Sequence, residues 1–170
     1  MKLESLDLSY NNLKELPHLE LPKLKSLNIR QNQFAKFPHQ ICDLENLEVL
    51  FVSFNPIYEI PSCISQLKHL KDLSLSNDSL TVLPKEIAGM NGLEEINLRN
   101  NQLTELPDEL EKATNLKLLD LSYNLLTTIP SCLYTIPNIE EINLRGNPID
   151  SSDVESLRNE RKGVKIIFYP

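Results

Sequence analysis

No run of 18 apolar residues occurs in this 170-residue chain, which excludes a membrane-spanning helix of ordinary length. Glycine is scarce, 4 residues against 11 prolines, and no low-complexity stretch is present. That composition argues against a flexible linker or disordered tail between Leu3 and Tyr169. Positive charge is in the minority: 17 Lys and Arg face 24 Asp and Glu, a net charge of −7. A phosphate backbone needs a cluster of cations, so nucleic acid is not an expected partner. The opening residues, Met1-Lys2-Leu3-Glu4-Ser5, lack the apolar core of a signal peptide, and a cytoplasmic, soluble protein is expected. Also missing are G-x-S-x-G, a Gly-rich phosphate loop and H-E-x-x-H. His18, His39 and His69 fall in different surroundings, with no Cys or carboxylate at ligand spacing. No catalytic residue, metal or cofactor is expected.

What the chain has is a period. The spacing L-x-x-L-x-L-x-x-N-x-L returns seven times, beginning at Leu3, Leu24, Leu47, Leu70, Leu93, Leu116 and Ile139. After a first interval of 21 residues, every interval is 23. Self-similarity at a fixed period of this length means a stacked repeat architecture. In the unit Leu93 to Asn115, Ile96 and Leu98 alternate as in a short half-buried strand, and Asn101 turns the chain. Leu103 and Leu106 then face inward, and Pro107 opens a helical turn closed by Leu110 and Ala113. One such unit buries too little to fold alone, so stability belongs to the stack. The expected fold is α/β: a solenoid with a parallel sheet on its concave side and short helical turns on its convex side.

The three cysteines are Cys42, Cys63 and Cys132. Cys63 and Cys132 occupy one phase three repeats apart, so neighbouring strands ~4.8 Å apart put them roughly 14 Å from each other, beyond disulfide reach. An odd count without pairing geometry favours a reducing compartment and buried, inert thiols. A lone sequon, Asn77-Asp78-Ser79, points weakly the other way.

The seven motif copies, with Leu-Pro or its equivalent after each of the first six (Leu16-Pro17, Phe37-Pro38, Ile60-Pro61, Leu83-Pro84, Leu106-Pro107, Ile129-Pro130), resemble the leucine-rich repeat family, in its 23-residue class known from cytosolic scaffolds and bacterial arrays. The resemblance covers Leu3 to about Ile149. It implies a curved horseshoe that binds proteins through its concave sheet. It also implies a ladder of asparagines bonded to neighbouring backbone, here Asn11, Asn32, Asn55, Asn101, Asn124 and Asn147. The fourth copy has Asp78 instead, an acceptor without amide donors, so one rung is expected to soften.

With positions four and six facing inward, positions three, five and seven form the concave grid. Most entries are small or polar. Repeat three departs, with Val49 and Phe51 in the grid and Phe54 just after it. An exposed aromatic cluster in the middle of an open face is the pattern of a binding hot spot. The candidate partner-binding residues are therefore Val49, Phe51 and Phe54, with Asn28, Arg30, Ser53, Asp72, Ser74 and Arg99 around them and Leu118 with Tyr123 as a second centre. Position two runs Glu4, Lys25, Glu48, Lys71, Glu94, Lys117, Glu140, alternating in sign without a break. Equivalent residues become neighbours in a parallel array, so this column opposes slippage by one repeat.

One domain over residues 1–170 is expected, with a cap over about 150–170. In the cap, Ser152-Asp153-Val154-Glu155 reads as a capping box starting a helix to about Lys162, Gly163 suits its end, and Val164 to Tyr169 has strand composition. The motif begins at Leu3 without a corresponding cap, which suggests a fragment or an atypical first repeat. The leading expectation is a non-catalytic protein-binding module of scaffold or signalling-adaptor type, probing another protein with its concave face as a monomer. The alternatives are the targeting part of a larger enzyme or secreted bacterial effector, and self-association through the Leu3 edge.

Overall fold

The computed structural model describes residues 2–169; Met1 and Pro170, the ends of the expected domain, lie outside the described residues. Eight parallel strands of three residues each form one open sheet in sequence order. They are β1 (Ser5–Asp7), β2 (Ser26–Asn28), β3 (Val49–Phe51), β4 (Asp72–Ser74), β5 (Glu95–Asn97), β6 (Leu118–Asp120), β7 (Glu141–Asn143) and β8 (Lys165–Ile167). Equivalent motif positions pair directly, Leu27 with Leu50 and Leu50 with Leu73, so the sequence period is the sheet register. The motif leucines behind the sheet are buried from β2 onward, while Leu3, Leu6 and Leu8 on the edge strand β1 are only partly covered.

The convex side is built from five single 3-10 turns, His39–Asp43, Ser62–Gln66, Lys85–Gly89, Asp108–Lys112 and Ser131–Tyr134. The first repeat, two residues shorter, has none. Each proline stands just before its turn in an extended conformation, Pro38 at φ −68° and ψ 108°, rather than inside it. Its carbonyl accepts the first turn bond, from Ile41 N at 3.0 Å. So few residues separate Pro from the next strand that i→i+3 bonds close the turn before an α-helix can establish itself.

Behind the turn after each strand runs the asparagine ladder. Asn101 donates from Nδ2 to Leu75 O and Leu98 O and accepts at Oδ1 from Leu80 N, and Asn124 repeats the pattern one repeat on. Asn11 makes only local bonds, to Leu8 O and Ser9 O. At Asp78 the rung is broken as expected: Oδ1 accepts from Asn55 N at 2.6 Å and the buried Oδ2 has no partner.

The sign-alternating column forms ion pairs in every second interface. Lys25 meets Glu4 at 3.5 Å, Lys71 meets Glu48 at 2.7 Å and Lys117 meets Glu94 at 2.7 Å. Each lysine reaches back to the preceding repeat.

Two expectations need correction. Cys42 and Cys63 form a disulfide with Cα atoms 5.8 Å apart, and Cys132 is free and buried. Comparing cysteines only in equal phase missed this pair, because adjacent convex turns also bring diagonal positions into reach. The bridge removes the absence of pairing geometry as an argument for a reducing compartment. In the cap, helix α1 (Ser151–Glu160) begins two residues earlier than a capping box at Ser152 requires. Its N-cap is Asp150, whose Oδ1 accepts from Ser152 N at 2.7 Å, and Glu155 instead pairs with Arg158. Gly163, at φ +101°, turns the chain into β8, which pairs with β7 and buries Ile166 and Phe168. Arg161 donates to Tyr134 O and Ile136 O, tying the cap to the last convex turn.

Candidate functional site

The concave face consists of three rows running across the strands. In the middle row, the polar residues turn out to have local structural work: Asp7, Asn28, Asn97, Asp120 and Asn143 each accept from the backbone N–H two residues later. Asn28, a candidate contact, is thus also a turn stabiliser, and its Nδ2 bonds Asp7. Phe51 replaces such a residue in repeat three and leaves its ring half-buried beside half-buried Val49. Phe54 is 42% exposed and sits at φ 62°.

Ser53 does not present a side chain to the face. It is fully buried, its Oγ 2.8 Å from Ser74 Oγ and 3.0 Å from both Ser76 N and Ser76 Oγ. The expectation that all of position seven points outward fails for small residues, because the strands end at position five and the backbone is already turning. Ser76 and Ser122 are buried likewise, while the long arginines of the same row reach out.

Those arginines lie on aromatic rings. The Arg30 guanidinium is 5.7 Å from the Phe54 centroid. Arg99 and Arg145 approach Tyr123 at 4.2 and 5.6 Å, and Arg145 is also 5.9 Å from Tyr169. Arg99 Nη1 donates to Ser122 Oγ at 3.2 Å. Candidates Arg30, Phe54, Arg99 and Tyr123 therefore come together as parts of one rim, in two groups separated by repeat four. Sequence reasoning overlooked Tyr10, 72% exposed, together with Arg145 and Tyr169. A signal existed: position eight holds Tyr10, Gln31, Phe54, Asn77, Asn100, Tyr123 and Gly146, and every one has positive φ. Asn and Gly suit that conformation; a bulky aromatic there is strained.

Beside this rim, Phe51, Asp72, Ser74, Glu95, Leu118 and Asp120 line a hollow of ≈ 330 Å³. This joins the two apolar centres, Phe51 and Leu118, across β4 and β5. Burial, then the neighbouring Glu95, pushes the Asp72 carboxyl above its usual range. The hollow has no nucleophile–base pair. His39 lies elsewhere, with Nδ1 3.7 Å from Cys63 Sγ, and His18 is 4.0 Å from Asp43.

A family profile described as a leucine-rich repeat region matches residues 1–162, and the chain belongs to the leucine-rich repeat family. A leucine-rich repeat protein of Leptospira interrogans superposes with a TM-score of 0.76 at 34% sequence identity, over 98% of this chain and 49% of that one. An internalin of Listeria monocytogenes superposes with a TM-score of 0.71 at 20% identity, over 99% of this chain and 57% of that one, a likeness of fold. The chain thus spans about half the length of the solved relatives it resembles. No curated protein sequence matches significantly. The fold is that of a protein-interaction module and is typically non-catalytic.

Proposed function

We propose that the chain is a non-catalytic protein-binding module of scaffold or adaptor type whose concave face, centred on Val49, Phe51 and Phe54, docks another protein. The observation that carries this reading is Phe51. The middle row is otherwise occupied by small or polar residues, most of them bonding local backbone, and here an aromatic ring takes that place, with the exposed Phe54 three residues further along the chain. Large aromatics near the centre of an open face are the usual energetic anchors of an interface.

The test is affinity capture with wild type and the Phe51→Glu/Phe54→Glu double variant. Partner recovery should fall at least tenfold while the thermal transition stays within a few degrees. Equal recovery by both would refute this face as the site.

A second reading is that the array recognises a partner on behalf of a longer polypeptide. Its motivation is the coverage of only 49% and 57% of the two similar structures. An endogenous polypeptide well above 19.5 kDa on an immunoblot would support it, and one of that size would refute it.

A further inference from the structure

The concave face sorts charge across the strand direction. Within β4–β7, the first and middle rows carry Asp72, Glu95, Asp120 and Glu141 and no cation. The row beyond the strand ends carries Arg30, Arg99 and Arg145 and no anion. In those same two rows the apolar Leu118 follows Glu95 on the next strand and Phe51 precedes β4, so apolar residues flank the Asp72 and Glu95 carboxylates.

Nothing internal requires this arrangement. Asp72 and Glu95 are direct partners in the parallel register, where like charges destabilise a sheet. Among the described residues neither has an ion-pair partner: Lys117 bonds Glu94, Lys71 bonds Glu48, and Lys165 bonds Glu141. The arginines that could neutralise them are held at the far rim on Phe54, Tyr123 and Tyr169. Two of those rings, Phe54 and Tyr123, stand at φ 62° and 56°, where repeats four, five and seven place Asn or Gly. Like charges facing each other beside an open hollow, and aromatics held in strained backbone, both break local rules where a binding surface would need them.

We propose that the concave face receives a protein segment of complementary sorting, with basic side chains over Asp72 and Glu95, apolar side chains on either side of them over Phe51 and Leu118, and acidic side chains toward Arg99 and Arg145. The inference rests on the docking role proposed above and adds the chemistry of the partner. A Lys or Arg entering the ≈ 330 Å³ hollow meets two unpaired carboxylates at once, and a carboxylate at the rim meets guanidiniums already oriented by their rings. The whole-chain charge of −7 attracts any cation; the sorting makes one side of the same segment favour acids.

Selection of random 16-residue peptides displayed on phage against the full chain tests this. Enriched peptides should combine Lys or Arg with apolar and acidic positions. A synthetic copy of the best one should bind at least tenfold more weakly to Asp72→Asn/Glu95→Gln, and more weakly to Arg99→Gln/Arg145→Gln. It should bind within twofold of wild type to Glu105→Gln/Glu111→Gln, which changes net charge equally outside the concave face. The Asp72→Asn/Glu95→Gln variant should melt no lower than wild type, since it removes a like-charge pair. The proposal is overturned by enriched peptides without basic residues, by no enrichment, by an equal loss in the Glu105/Glu111 control, or by a peptide-sensitive dimer that assigns the face to a second copy. Loss of partner capture with Phe51→Glu/Phe54→Glu but not with Asp72→Asn/Glu95→Gln would overturn the sorting and leave the docking role standing.

Discussion

Asp78 shows what one substitution in a repeated rung does. Val52 O accepts from Asn55, and Leu75 O from Asn101, but neither receives the second amide hydrogen that Leu98 O and Leu121 O obtain from successive asparagines. The missing hydrogens are those an asparagine at 78 would supply. Burial pushes the Asp78 carboxyl up from 3.8 to about 8, so the native protein holds it neutral at pH 7. With the folded pKa above the unfolded one, the unfolded chain binds fewer protons between those values, and stability falls as pH rises from about 4 to about 8. By pH 7 the penalty is about 4 kcal/mol. Asp78→Asn removes it and restores two donors, so urea denaturation should show a gain of roughly 2–4 kcal/mol at pH 8 and much less at pH 4. A variant no more stable than wild type at pH 8 would contradict this account. Phe54 carries the converse expectation. Phe54→Asn relieves the ring of its left-handed conformation, so its thermal midpoint should hold or rise while partner capture weakens.

At the level of elements, the convex turns are where sequence phase was least informative. A 3-10 turn places side chains every third residue, and neighbouring turns stack with freedom to pair diagonally. The bridge between the His39–Asp43 and Ser62–Gln66 turns is therefore visible only in three dimensions. It joins residues 21 apart, and constraint of the unfolded chain over such a loop is worth about 3 kcal/mol. Cys42→Ser/Cys63→Ala should lower denaturant stability by that order. Thiol counting is a sharper check: the native protein should show no fast-reacting thiol, because burial pushes Cys132 up to about 12. Unfolding without reductant should expose one thiol, and reduction should expose all three. Three thiols without reductant would rule the bridge out. The cap illustrates the opposite case: the strand composition of Val164 to Tyr169 was readable, but Asp150 outcompeted Ser152 as N-cap because Ile149 buries and fixes the chain just before it.

For the whole molecule, the period carried most of the information. Leucines spaced L-x-x-L-x-L give strand position, register and core together, and the seven strands lie at motif positions three to five in every copy. The candidate site was legible in part for the same reason: Phe51 and Phe54 stand out once the repeats are aligned, and Leu118 and Tyr123 prove to belong to the same face. Two things were not. The alternation rule stops where the strand stops, so Ser53 was misplaced. Stacking of arginine on aromatic rings links two motif columns, and no single column reveals it. The molecule that results presents a face whose strand rows mix acidic and apolar residues, with a cationic rim beyond the strand ends, and the docking role proposed for it would depend on that face rather than on the convex turns.

Hydrogen–deuterium exchange of the chain with and without a captured partner separates these two surfaces most directly. Binding through the concave face should slow exchange in peptides spanning β3 to β6 and the turns after them, including Phe54 and Tyr123, and leave the convex turns at Ser62–Gln66 and Lys85–Gly89 unchanged. Protection confined to the convex turns, with β3 to β6 exchanging as in the free chain, would contradict the account.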